Sequence, residues 1–152
     1  MPNENAPPTY LAKLNQLAIT EGRAHDFYLA WAEKTTDSEL ERVMRFVAVR
    51  EMEHSWAFKK RIVELGFEFE DGPCPQCDEW LELFSSDATD LEKFHGFGFR
   101  DTDKFPADDF ADLFDDLTLD PETGAVLGRY VAEERDSATM FLRAYARLKA
   151  AA

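Results

Sequence analysis

The sequence predicts an all-α fold, a bundle of antiparallel helices with an irregular insertion before the last one. Three observations carry this reading. Apolar residues recur at alternating three- and four-residue steps over two long stretches near the start and one at the end. The seven prolines among 152 residues cluster outside those stretches. The hydrophobic fraction of 45%, with 13 Phe, is enough for one core, and the length suits a single domain spanning 1–152.

Residues 1–8 read as a short disordered arm. The first helix is predicted from near Thr9 to near Lys34, with Leu14, Leu17, Ala24, Tyr28 and Trp31 on its seam. Thr36 and Glu39 have the spacing of a capping box for the second helix. Its seam is Leu40, Val43, Val47, Phe58, Ile62 and Leu65, and Gly66 is a natural stop. The short connection makes the two helices an antiparallel hairpin. Residues 67–119 form the insertion, which is rich in Asp and Phe and holds both cysteines; short helices are expected near 78–84, 88–95 and 107–117. Asp120 is placed to cap the last helix, with Pro121 in its first turn. The seam there is Leu127, Tyr130, Phe141, Tyr145 and Leu148.

The charge balance narrows the function classes. Thirty-one acidic residues against 17 basic ones give a net charge of −14. That balance disfavours nucleic acid and anionic membranes as partners and attracts cations, besides serving solubility. No apolar run is long enough to span a bilayer. The polar, Pro-rich start is unlike a secretion signal, so a cytoplasmic protein is expected.

The gaps in the seams point to chemistry. Glu21 stands between Leu17 and Ala24 where an apolar residue belongs. Glu51 and His54 stand between Val47 and Phe58, and Glu134 and Ser137 between Tyr130 and Phe141. Burying unpaired carboxylates is costly, and grouped carboxylates repel, so they require protons or a bound cation. Glu51 and His54, three residues apart on one helix face, can reach the same ion. Carboxylate oxygen with imidazole nitrogen suits iron, manganese or zinc better than calcium. The alternative is a set of buried salt bridges to Arg23, Arg50 or Arg135.

Other candidates carry weaker signals. Glu53 and Glu133 neighbour the candidate ligands but are expected on other faces. His25 is off the seam, and His95 is expected in a loop. The Phe-rich stretch from Phe94 to Phe114 reads as core cover. The pairs Asp108-Asp109 and Asp115-Asp116 read as solvated. Cys74-Pro-Gln-Cys77 resembles one knuckle of a rubredoxin or zinc-ribbon site without its second knuckle. It can be a redox dithiol, half of a metal site shared between chains, or two unlinked thiols.

The stretches AITEGRAHDFY and REMEHSWAFKKRI, within residues 10–66, resemble the first two helices of ferritin-like and rubrerythrin-like proteins. A partial resemblance extends over 126–148. It implies a ferritin-like antiparallel helical bundle and a carboxylate-bridged di-iron centre, with manganese or zinc as other occupants. Glu21 would be the metal ligand of the first helix, Glu51 the bridging ligand and His54 a terminal one. Glu134 would match a third- or fourth-helix ligand, with Ser137 standing where a His belongs. One chain therefore lacks a full set, and a homodimer or higher homo-oligomer is expected to supply the rest. The implied function is a non-haem di-iron oxidoreductase that oxidises ferrous iron with dioxygen or peroxide. Glu51 and Tyr28 would take part in the chemistry, Trp31 would be a redox neighbour, and an electron donor would be a partner. Metal storage or delivery, and a structural module with a degenerate site, are the competing expectations.

Overall fold

The computed structural model describes residues 6–100 and 110–152, and among these no strand is present. Helix α1 spans Leu11–Lys34, α2 Ser38–Glu64, α3 Pro75–Ser85, α4 Asp90–Gly96 and α5 Pro121–Ala151. A 3₁₀ turn covers Phe110–Phe114. The all-α class and the helical bundle are as the periodicity predicts.

The helix ends show how local chemistry sets these bounds. Helix α2 is capped by Asp37, whose carboxylate accepts from the Leu40 N–H at 2.8 Å, and not by the expected Thr36–Glu39 box. Asp37 gains a second anchor there, because Arg147 of α5 donates to both its oxygens at 2.6 and 2.8 Å. The capping box lies instead at Thr89 and Glu92, ahead of α4. At the other end of α2, Gly66 adopts φ 87°, and the Phe67 N–H reaches back to the Ile62 carbonyl. Asp120 caps α5 through the Thr123 N–H, with Pro121 in the first turn, as expected.

The insertion departs from expectation in detail. Helix α3 starts three residues earlier than the apolar pattern indicates, because Pro75 preforms its first turn. Of the helix expected at 107–117, only the short 3₁₀ turn is found within the described residues. Asp116 ends that segment by accepting from the Thr118 N–H and hydroxyl. Residues 107–109, including Asp108 and Asp109, lie outside the described residues, as do 1–5 of the expected arm.

Three long helices carry the architecture. The core divides into two clusters along them. One holds Ala24, Trp31, Leu40, Met44, Phe84, Phe94, Phe141 and Tyr145. The other holds Leu14, Ala18, Phe58, Ile62, Leu127 and Tyr130. The start of α1, the end of α2 and the start of α5 share the second cluster, so α2 runs antiparallel to both α1 and α5. Helix α3 lies on α1 through the Phe27–Trp80 and Trp31–Phe84 ring pairs. Helix α4 lies on α5 through Phe94–Tyr145. Phe94 and Phe99 are fully buried, which places part of the Phe-rich stretch in the core. Among the described residues no helix is long and apolar enough to cross a membrane.

Asp37 joins the start of α2 to the end of α5. The Arg147 guanidinium and the helix N–H groups hold its carboxyl at about 2. Asp37→Ala is expected to cost about 1–2 kcal/mol in urea unfolding at neutral pH. The depressed pKa means this contribution is present above the ordinary Asp range and fades as pH falls toward 2, so the wild-type advantage should shrink in acid.

Candidate metal centre

Between the two apolar clusters lies one polar layer. Helix α1 contributes Glu21, α2 contributes Glu51 and His54, and α5 contributes Glu134. One potential ligand atom from each lies within 4.8 Å of all the others. Glu21, Glu51 and His54 are 4%, 3% and 5% exposed, and Glu134 is half-buried. All four sequence-predicted metal ligands are therefore in one place, within one chain.

Close helix approach sets the depth of this layer. Ser55 Oγ donates to the Ala18 carbonyl of α1 at 2.7 Å. A Cβ at Gly22 would meet that same hydroxyl at 3.1 Å. Gly22 and Ser55 thus let α1 and α2 come together beside Glu21 and His54.

The inner faces of these side chains lack partners. His54 Nδ1 is 3.6 Å from both Glu21 Oε2 and Glu134 Oε1, too far for good hydrogen bonds. All three atoms are buried and make no hydrogen bond. Their outer faces are held instead. The Tyr130 hydroxyl donates to Glu21 Oε1 at 3.0 Å. His54 Nε2 lies 3.0 Å from Glu133 Oε2, and Glu133 in turn accepts from Arg129 Nε at 2.7 Å. An imidazole with one nitrogen fixed by a carboxylate presents the other as a lone pair, the arrangement common to metal-bound histidines.

Glu133 therefore corrects the expectation that it points away; Glu53 does lie exposed. The arginine alternatives fare unevenly. Arg23 pairs with Asp71 instead of Glu21. Arg50 pairs with Asp136 and, at 3.7 Å, with Glu133, and bonds Ser137. Neither arginine forms an ion pair with Glu21, Glu51 or Glu134 among the described residues.

Electrostatics record the strain of this grouping. Burial, then the Glu21 and Glu134 carboxylates, push the Glu51 carboxyl well above its ordinary range. Burial and Glu21 push Glu134 up to about 8. Burial alone would pull His54 down, but Glu21, Glu134 and Glu133 outweigh it and raise it. Glu133 is shifted the other way: burial opposes its ionisation, and Arg129 and His54 more than reverse that. Tyr28 and Tyr130 are raised by burial and by the three central carboxylates.

Tyr28, the expected reactive neighbour, is buried in the field of Glu51, Glu134 and Glu21 and packs on Phe27, Phe84 and Phe141. Trp31 is ten residues along α1 from Glu21, about 15 Å by helical rise, and donates to Asp90. Its place is in the core, away from the polar layer. Tyr130, read only as a seam residue, is in direct contact with Glu21 and stacks edge-on against the His54 ring at 5.0 Å. A cavity of about 270 Å³ lies against these two rings, lined also by Trp56, Phe58, Val126 and Arg129.

The remaining candidates sit elsewhere. His25 bonds Asp26, and His95 belongs to α4 instead of a loop, 3.3 Å from the Tyr145 hydroxyl. Cys74 and Cys77 are bonded to each other at the start of α3, which leaves no free thiol among the described residues.

Known protein families, curated proteins and solved structures yield no match to this chain.

Two outcomes follow from the geometry. In the metal-free chain the folded state binds protons at Glu51, Glu134 and His54 that the unfolded state releases. The contribution of the Glu134 proton is complete below the ordinary carboxylate range and is lost as pH rises through about 8, and those of Glu51 and His54 fade in the same direction. The unfolding free energy of the metal-stripped protein should fall between mildly acidic and mildly alkaline pH, and saturating Mn(II) should flatten that fall. Glu133→Gln should weaken Mn(II) binding about 10–100-fold, read by calorimetry, with the helical circular dichroism unchanged.

Proposed function

We propose that the chain is a non-haem iron oxidoreductase of ferritin-like type, oxidising ferrous iron with dioxygen or peroxide at Glu21, Glu51, His54 and Glu134. One observation carries the reading. Glu21 Oε2, His54 Nδ1 and Glu134 Oε1 converge in a buried layer and have no hydrogen-bond partner. Protons on the carboxylates relieve the repulsion, but at 3.6 Å they bridge to His54 Nδ1 only weakly. A cation satisfies every inward atom at once. The mixed oxygen and nitrogen set suits iron, with manganese or zinc as alternatives.

An iron ion held by Glu21, Glu51, His54 and Glu134 would supply the electrons that reduce the oxidant. The chain's own residues hold and tune it. Glu133 fixes the His54 ring through Nε2, and Tyr130 fixes Glu21 through Oε1. Glu51 and Glu134 are carboxyls that would give up their protons when an ion enters and regain them when it leaves. The two apolar clusters keep bulk water from the layer, and the cavity against His54 and Tyr130 offers space for a small oxidant.

The expected homodimer finds its support on the outer face of α2. Val49, Trp56 and Val63 are exposed at seven-residue spacing. An antiparallel pairing of two α2 helices about Trp56 sets Val49 against Val63 and Glu53 against Lys59 of the second copy. This pairing covers apolar surface without supplying ligands.

Iron turnover tests the function. Metal-stripped chain reloaded with Fe(II) under anaerobic conditions should consume it on addition of peroxide or dioxygen faster than free Fe(II). Glu51→Ala should reduce the rate to the free-iron background. Wild type that binds iron without accelerating its oxidation supports storage or delivery instead, and wild type that binds no metal supports a structural module. Light scattering on the same preparations should give twice the chain mass, and Trp56→Glu should halve it.

A further inference from the structure

Helices α2 and α5 present matching pairs to the polar layer. Helix α2 carries Glu51 and His54, three residues apart, and α5 carries Glu134 and Ser137 at the same spacing. Ser137 is 3% exposed, so its position is as inward as that of His54. A hydroxyl there is a poor replacement for an imidazole as a metal ligand. It is also already engaged, because Arg50 Nη1 donates to Ser137 Oγ at 3.0 Å.

The same nitrogen reaches the Glu133 carbonyl oxygen at 3.0 Å and Asp136 Oδ2 at 2.9 Å. The guanidinium also lies 4.7 Å over the Phe46 ring, and its side chain is 15% exposed. Four contacts on α2 and α5 thus fix a permanent cation on the α5 side of the layer. Its charge acts on the Glu134 carboxylate.

The donor set suits one ion, since one potential ligand atom from each of the four side chains lies within 4.8 Å of the others. A second divalent ion beside Glu134 would approach the Arg50 guanidinium seated on Ser137. Only one imidazole nitrogen is free to ligate, since Glu133 takes the other, and Tyr130 engages one oxygen of Glu21.

We propose that the site takes a single divalent ion per chain, and that Arg50, seated on Ser137, stands in for a second cation. Arg50 is thus a residue that sets how many ions the site admits. This rests on the metal-binding reading above and narrows its expected two-metal centre to one ion.

Mn(II) added to the metal-stripped full chain tests this, with calorimetry for stoichiometry and electron paramagnetic resonance for spin coupling. Wild type should bind about one Mn(II) per chain in this site and show the spectrum of an isolated ion. The double variant Arg50→Gln with Ser137→His should bind a second and show a coupled pair. Two coupled ions in wild type overturn the proposal, as does a folded double variant that still binds one. Should the double variant not fold, Arg50→Gln alone decides: it should bind the first Mn(II) at least about tenfold more tightly, and Arg50→Lys should not. Unchanged affinity in Arg50→Gln overturns the role of Arg50. Absence of any Mn(II) binding by wild type defeats the metal reading itself, an outcome distinct from either of these.

Discussion

The constraint on which the rest depends is the placement of three carboxylates and one imidazole in the middle of a small helical core. Glu21, Glu51 and His54 are as buried as the leucines above and below them. Leaving such groups charged and unpaired would cost several kcal/mol each. The fold does not avoid that cost by turning them outward. It surrounds them with two apolar clusters, whose burial offsets the penalty, and brings α1 and α2 close through Gly22 and Ser55. The polar layer is therefore built at the expense of stability. Such an arrangement is easiest to understand if a ligand repays it.

Around that layer the polar contacts are directional. His54 is anchored through Nε2 and open through Nδ1, and Glu21 is anchored through Oε1 and open through Oε2. The anchors, Glu133 and Tyr130, both belong to α5, so α5 orients the Glu21 and His54 side chains that α1 and α2 provide. By contrast, most of the ion pairs outside the layer are exposed, such as Lys13–Asp112 and Lys34–Asp87, and contribute little to holding the fold. The acidic excess acts at longer range, raising the local concentration of cations around the molecule.

The sequence made the three long helices legible because their apolar steps follow a helical period over many turns. Glu21, Glu51, His54 and Glu134 were legible for the same reason, as breaks in an otherwise regular stripe. Glu133 was not, because it is adjacent to Glu134 and a helical wheel assigns it another face. Its long side chain crosses that angle to reach His54 on the neighbouring helix, which depends on how α2 and α5 cross. Tyr130 was read as packing, since a phenol counts as apolar in a periodic pattern, and its hydroxyl partner lies on α1. The Thr36–Glu39 pair had the right spacing for a cap but lost to Asp37, whose carboxylate Arg147 holds from the far end of the chain. In each case the missing information was an inter-helix contact, which a local pattern does not contain.

The insertion gives a physical reason for the shape of the ligand set. Helices α1 and α5 do not pack backbone to backbone. The space between them is closed by side chains and short elements. Tyr28 meets Phe141 on one side of the polar layer, and Tyr130 reaches Glu21 within it. Helices α3 and α4 fill the end near Trp31, and Phe110 with Leu113 fills the other. None of these elements runs past the layer as a long helix, so none brings a further carboxylate and imidazole to it. The wall that remains is made of two phenols raised in pKa by burial and the adjacent carboxylates, hence neutral and able to donate. The polar layer is thus enclosed by side chains of three helices, with neutral phenols on its fourth side and Arg50 at its edge.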